Sequence, residues 1–272
     1  MHQENEKDLS RILNLIERVT KFSAQHYRFS TLKRRLQLRL LATKSKSYKE
    51  YLTFLKIDTS ECYKFLDALV INVTEFFRDK RVFLTLEREI LPYMLEEISS
   101  KNRKRMRIWS IGCARGQEPY SLAIILNEIS KNKSNNLNII IHATDVNKVV
   151  LKQAKSGQYK KAEMKNVPYK YQNEYFIKIN NDEFKIKDNI KKLVRFKPHD
   201  LIKGNTFGKF HLILCRNLFI FFLPQLWDEL FKKIHASLKK GGILVLGTAE
   251  APKDENLFKC LSSRDHIYQK IT

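Results

Sequence analysis

Glycine and proline do not occur anywhere before Pro92, and the whole 272-residue chain holds only 8 glycines and 6 prolines. So little turn chemistry excludes collagen-like or low-complexity character and argues against a β-rich beginning. Cysteine is equally sparse. Cys62, Cys113, Cys215 and Cys260 are far apart with no C-x-x-C pair, which excludes a zinc ribbon or a disulfide framework and suits a reducing, cytoplasmic setting. The longest apolar run, LFIFFL from Leu218 to Leu223, is far short of the ~20 residues that a membrane helix needs, so no membrane insertion is expected. The opening MHQENEKDLS is polar with no apolar stretch behind it, so a signal peptide is not expected either.

Acidic residues are also in deficit. Lys and Arg number 51 against 29 Asp and Glu, a formal net charge of +22. Such a balance can serve nucleic acid, but its distribution here argues otherwise. The one dense run, KNRKRMR at 101 to 107, sits directly before an apolar strand, where a solvated linker is expected. The other lysines are scattered, many balanced by nearby Asn and Glu rather than interleaved with aromatics, which favours an acidic protein surface as partner over nucleic acid.

Helix is what the glycine-free beginning does support. Leu9, Ile12, Leu13, Ile16 and Val19 recur at helical spacing, and residues 6 to 70 read as helices throughout. A helix around Ser30 to Thr43 carries Leu32, Leu36 and Leu40 on one side and Lys33, Arg34, Arg35 and Arg39 on the other. With no acid between Thr31 and Lys49, this one-sided helix is a candidate docking face. From Ile108 onward strands and helices alternate. Strands are expected at Ile108 to Ile111, Leu137 to Ala143, Leu193 to Phe196, Phe210 to Cys215 and Ile243 to Gly247, with a helix over Pro224 to Leu238. Alternation of this kind predicts a doubly wound, mostly parallel α/β sheet. EYFIKINNDEFKIK at 174 to 187 departs from it and predicts a hairpin around Asn180 to Asp182, inside a small antiparallel insertion at about 157 to 196.

The chemistry-bearing residues cluster where strands should end. IWSIGCARGQEPYSLAIIL, 108 to 126, reads as a strand that breaks at Gly112 and Gly116 and restarts as a helix, the arrangement that presents free N–H groups to a ligand. Its G-x-x-x-G spacing is not the G-x-G-x-x-G of dinucleotide sites. Glu118 in that first turn suits either the helix dipole or a ligand's ammonium or ribose. Asp145, ending the second strand, suits a ribose or caps the next helix. Arg216 and Asn217 close the fourth strand, and NVTEFFRD at 72 to 79 joins the helical part to the α/β part with two phenylalanines beside Arg78, as a segment folded over a site would.

NVTEFFRD, WSIGCARGQEPYSLA, HATDVN, CRNLFIFF and LKKGGILVLGTAE, in that order and preceded by the basic STLKRRLQLRL, resemble the CheR-type chemotaxis receptor methyltransferases. The resemblance covers nearly the whole chain. It implies a Rossmann-like methyltransferase domain at 72 to 272, with 72 to 84 as a linker folded over the cofactor, and an N-terminal helical docking domain at 1 to 71. It implies S-adenosylmethionine as cofactor, with contacts from Asn72, Thr74, Arg78, Gly112, Glu118, Asp145, Asp200, Leu201, Arg216 and Asn217. Methyl acceptors would be glutamate side chains on the cytoplasmic domain of membrane chemoreceptors, with Lys33, Arg34, Arg35 and Arg39 docking them. Arg78 and Arg216 are the candidates to orient carboxylates, and no metal is implied.

The chain also departs from the family pattern. Arg115 stands where a small hydroxyl residue is usual, Gln117 where a glutamate is usual, and Phe221 where a tyrosine is usual. His211 replaces an aspartate, and GTAE at 247 to 250 replaces G-H-S-E. Phe221 and Thr248 leave open a cofactor-binding regulatory module with reduced or lost catalysis. A nucleic-acid methyltransferase is favoured only by charge, and no N/D-P-P-Y sequence is present.

Overall fold

The computed structural model describes residues 2–69, 74–100, 105–131, 137–206 and 208–271, with side chains from residue 7 onward. The chain divides into two compact units, Met1–Asn72 with Phe221–Trp227, and Val73–Ile220 with Asp228–Thr272.

The first unit is built from α1 (His2–Thr20), α2 (Phe29–Thr43), α3 (Tyr48–Ile57) and α4 (Ser60–Leu69). The stripe read from the sequence is the buried face of α1: Leu9, Ile12 and Ile16 are enclosed, joined by Leu15. Ser47 caps α3, accepting from the Glu50 amide, while the Glu50 carboxylate takes the Lys46 amide in return. Phe221–Trp227, expected with the α/β part, belongs to this unit. An antiparallel bridge joins Tyr27 to Phe222, the Arg28 amide donates to the Phe221 carbonyl at 2.9 Å, and Leu223 donates to His26.

In the second unit α5 (Lys80–Thr85) and α6 (Leu91–Ser100) lead into the sheet. Strands β1 (Arg105–Ile111) and β2 (Asn138–Asp145) follow, separated by α7 (Gln117–Lys131); α8 (Lys148–Ser156) comes after β2. Asn147 caps α8 through the amides of Val149 and Val150, and Gly157 ends it at φ 67°. The insertion follows as β3 (Gln158–Lys160), α9 (Tyr169–Tyr175), β4 (Phe176–Lys178), β5 (Glu183–Ile186) and α10 (Asp188–Lys191), its strands forming an antiparallel sheet of order β3-β5-β4. The expected hairpin is thus the β4–β5 pair. Then come β6 (Val194–Pro198), β7 (Phe210–Cys215), α11 (Trp227–Ser237), β8 (Leu238–Leu246), β9 (Phe258–Ser262) and β10 (Ile267–Lys270).

The main sheet runs β6-β2-β1-β7-β8-β10-β9. The strands from β6 to β8 are mutually parallel, and β10 runs antiparallel to β8 and β9. Strands β1, β2 and β7 are nearly all buried because the sheet is covered on both faces, so they read as continuous apolar runs. Two expectations change here. The expected helix over Pro224 to Leu238 is a 3₁₀ turn (Pro224–Leu226) followed by α11, and Lys239 to Gly242 lie inside β8, not in a helix end. The ladder absorbs them by shifting register after Phe210 pairs with Leu238, with Gly241 at φ 71°. Among the described residues no helix is long and apolar enough to cross a membrane.

Candidate active site

Parallel order puts the C-terminal ends of β1, β2, β6 and β7 along one edge of the sheet, the edge where open α/β folds bind ligands. The chain leaves β1 through a turn with three left-handed residues, Gly112 (φ 67°), Ala114 (φ 47°) and Gly116 (φ 90°). Glycine meets this geometry without strain; alanine does not, at roughly 1–2 kcal/mol. The strained alanine is held from both sides. Its amide donates to Asp145 Oδ2 at 2.9 Å, and the preceding Cys113 amide donates to the Thr144 carbonyl at 2.9 Å. A side chain at Gly116 would press on Ala154 and Phe196 at 3.1 Å, so this glycine also lets α7 settle against α8 and β6.

Asp145 is 4 % exposed. Its Oδ1 accepts from the Asn147 amide at 2.9 Å, so both oxygens are held by the backbone. Burial pushes its carboxyl pKa upward, while the amides of Asn147, Ala114 and Val146 favour the charge. Asn147, not Asp145, caps the next helix. Glu118 accepts from the Ser110 hydroxyl on Oε1 (2.8 Å) and from Arg216 Nη1 on Oε2 (3.2 Å). Arg216 is enclosed, its side chain 2 % exposed, and its Nη2 donates to Asp79 Oδ2 at 2.6 Å and to the Arg78 carbonyl at 3.0 Å. One guanidinium therefore ties the end of β7 to the first turn of α7 and to the segment before α5. Arg78 is half-buried beside it.

Asn217, at φ 57°, follows Arg216, and its amide donates to Glu250 Oε2. Glu250, 1 % exposed, also accepts from Gly247 on Oε2 and from Phe219 on Oε1, with the Ile220 amide adding to the set. Burial pushes this carboxyl upward too, against those amides. A Cβ at Gly247 would lie 2.7 Å from the Asn217 amide nitrogen, so the β7 and β8 ends can approach only with glycine there. Asp200 closes a turn after β6, Oδ1 accepting from Ile202 and Lys203, and the preceding His199 amide donates to the Asp145 carbonyl. Leu201 is buried and Thr74 half-buried; Asn72 lies outside the described residues.

The donor set fits a nucleoside that carries a cationic amino-acid tail. A carboxylate has about four lone-pair sites; Glu118 spends two on Ser110 and Arg216, and Asp145 spends up to three on the amides of Ala114, Asn147 and Val146, leaving acceptors for hydroxyl or ammonium donors. Burial pushes the thiols of Cys113 and Cys215 well above their ordinary values, so both stay neutral and supply no nucleophile.

The family "CheR methyltransferase, SAM binding domain" matches residues 72–267, and "CheR methyltransferase, all-alpha domain" matches residues 7–70. The chain belongs to the CheR methyltransferase family. Curated relatives agree. The chemotaxis protein methyltransferase of Borreliella burgdorferi is 32 % identical over 247 residues, covering 89 % of this chain and 87 % of its own. That of Listeria innocua is 30 % identical over 245 residues, covering 90 % of each. Among solved structures, the [4+2]-cyclase SpnF aligns over 64 % of this chain and 47 % of its own, with TM-score 0.36 and 17 % identity. The cofactor of this CheR chain is S-adenosylmethionine, and its activity is methyl transfer in chemotaxis.

Within this CheR member Gly112, Glu118, Asp145, Arg216 and Asn217 gather at the ends of β1, β2 and β7, with Arg78 joined through Arg216. Asp200 and Leu201 stand beside them at the end of β6. Phe76 and Phe77, read as folding over a site, are core residues: Phe76 packs edge-on against Tyr159 and Phe176, and the Phe77 amide donates to Ser121 Oγ. The basic helix separates into parts. Lys33 and Arg34 are exposed and Arg35 is half-buried. Arg39, expected on the docking face, instead makes a two-pronged bond to Glu61 (2.7 and 2.8 Å), which also accepts from the Tyr51 hydroxyl at 3.0 Å. Glu250, Ser110, Tyr159 and Glu163 were not singled out from sequence. Glu250 had a signal, as an acid just past a buried strand, the same argument that found Asp145.

Proposed function

We propose that the chain methylates glutamate side chains on the cytoplasmic domain of chemoreceptors. The observation that carries this reading is the convergence of Asp145, Glu118 and Arg216 on a left-handed turn at the sheet's carboxyl edge. In this reading Asp145 accepts from ribose hydroxyls and Glu118 meets the cationic tail. Gly112 and Asn217 let the backbone approach, while Thr74, Asp200 and Leu201 complete the enclosure. When bound, S-adenosylmethionine supplies an electrophilic methyl on a sulfonium. A glutamate acceptor is already ionised at neutral pH, so no general base is required of the protein.

Catalysis then rests on alignment and on exclusion of water. Arg78 is the better group to orient the acceptor carboxylate. Arg216 already holds two carboxylates, Glu118 and Asp79, which suits it to positioning Glu118 rather than to meeting substrate. Lys33 and Arg34, with Arg35 beside them, form the docking surface for an acidic receptor helix. The test is incubation of the protein with methyl-labelled cofactor and a receptor cytoplasmic fragment. Label that is released as methanol by mild alkali marks a carboxyl methyl ester. Alkali-stable label, or label found on nucleic acid, would overturn the assignment.

A further inference from the structure

The two departures in the cofactor turn, Arg115 and Gln117, share one partner, and it comes from the insertion. Glu163 follows β3. Its Oε1 lies 2.7 Å from Arg115 Nη1 and accepts from Gln117 Nε2 at 3.1 Å, and its Oε2 accepts from Arg115 Nη2 at 3.3 Å and from its own segment's Lys160 amide at 2.9 Å. A second tie is adjacent: the hydroxyl of Tyr159, on β3 itself, donates to the Arg115 carbonyl at 2.8 Å. Arg115 sits between the two left-handed residues Ala114 and Gly116, so these ties brace the turn directly beside its strained alanine. Glu163 is half-buried (20 % side-chain exposure) and Gln117 is buried, which lessens the screening of the bonds by solvent. A glutamate at 117 would set two carboxylates against each other here; glutamine donates instead.

We propose that Glu163 is a positioning residue for the cofactor turn, acting through Arg115 and Gln117, so that the small inserted sheet sets cofactor affinity. This rests on the turn being the S-adenosylmethionine site. The glycine turn is then clamped between two carboxylates, Asp145 from the sheet side and Glu163 from the insertion side. Acting on the cofactor only through Arg115 and Gln117, Glu163 should on its loss raise KM for the cofactor and leave kcat nearly unchanged.

The experiment is calorimetric titration of S-adenosylhomocysteine into the full chain, wild type against E163A, E163Q, R115A and the R115A/E163A double variant, with methyl-transfer kinetics alongside. Wild type should bind, which separates this test from failure of the site assignment. E163A should bind about tenfold more weakly, the size expected from losing a charge-assisted bond. E163Q, which keeps one acceptor, should recover part of that loss. The double variant should bind no more weakly than either single one, since both remove the same clamp. Should E163A not fold, R115A carries the same expectation. Wild-type affinity in E163A and R115A, additive losses in the double variant, or a fall in kcat with unchanged KM would each overturn the proposal.

Discussion

Two arginines, one in each unit, both hold carboxylates and differ in use. Arg39 on α2 meets a single enclosed carboxylate, Glu61, in a closed two-pronged pair to which Tyr51 adds a third bond. Arg216 at the end of β7 is shared between Glu118 and Asp79, from two different segments, and also takes the Arg78 carbonyl. The first arrangement is complete by itself and fastens α2 to α4. The second leaves Glu118 with unspent lone pairs beside the left-handed turn. An enclosed arginine therefore signals a ligand site only when its carboxylate partners retain acceptors for something else.

The largest effects expected come from cutting these pairs. Replacing Arg39 strands the enclosed Glu61 and replacing Arg216 strands Glu118, and each change to alanine should lower unfolding stability by about 3–5 kcal/mol, as for other broken buried pairs. Chemical denaturation measures that loss. Only R216A should also lose S-adenosylhomocysteine binding, and R39A binding the cofactor as weakly as R216A would erase the distinction. A smaller effect should follow on the docking side. K33A/R34A should lower receptor methylation several-fold at low salt with cofactor affinity unchanged, and raising the salt should shrink the gap to wild type, because exposed charges are screened beyond ~10 Å at 0.1 M.

The smallest expected effect is a change in pH dependence. His142 on β2 is pushed down to about 4 by burial first, then by the nearby cations Arg107, Arg195, Lys197 and Arg105. A base whose folded pKa is depressed gives stability that is present above its ordinary value near 6.5 and is lost as pH falls toward about 4. H142F, which keeps a ring against Phe210, should flatten the stability profile across that window relative to wild type. An unchanged slope between pH 6.5 and 4 would contradict the assignment to His142.

How far the sequence speaks depends on which force fixes each feature. Strands β1, β2 and β7 were legible because both of their faces are covered, leaving continuous apolar runs. Strands β9 and β10 went unread, being short and mixed in composition at one side of the sheet. Lys239 to Gly242 carried a helix-stop signature, yet tertiary pairing with β7 draws them into β8 through a register shift. In the site, strand-end position announced Asp145 and Arg216. What could not be read was the pairing: that Arg39 is spent on Glu61, that Arg216 serves two acids, or that Arg115 and Gln117 answer Glu163. Those choices are made by contacts between residues far apart in the chain, and no local pattern encodes them.

The central claim is that the carboxylate ending β2, together with the turn it clamps, holds the cofactor. Calorimetric titration of S-adenosylhomocysteine into wild type and D145A tests it most directly. Asp145 anchors the Ala114 amide and, on the proposed reading, would accept from the ribose, so its loss should weaken binding by about 1.5–3 kcal/mol, roughly 10- to 150-fold. Wild-type affinity in a folded D145A would contradict the account and move the cofactor away from the end of β2.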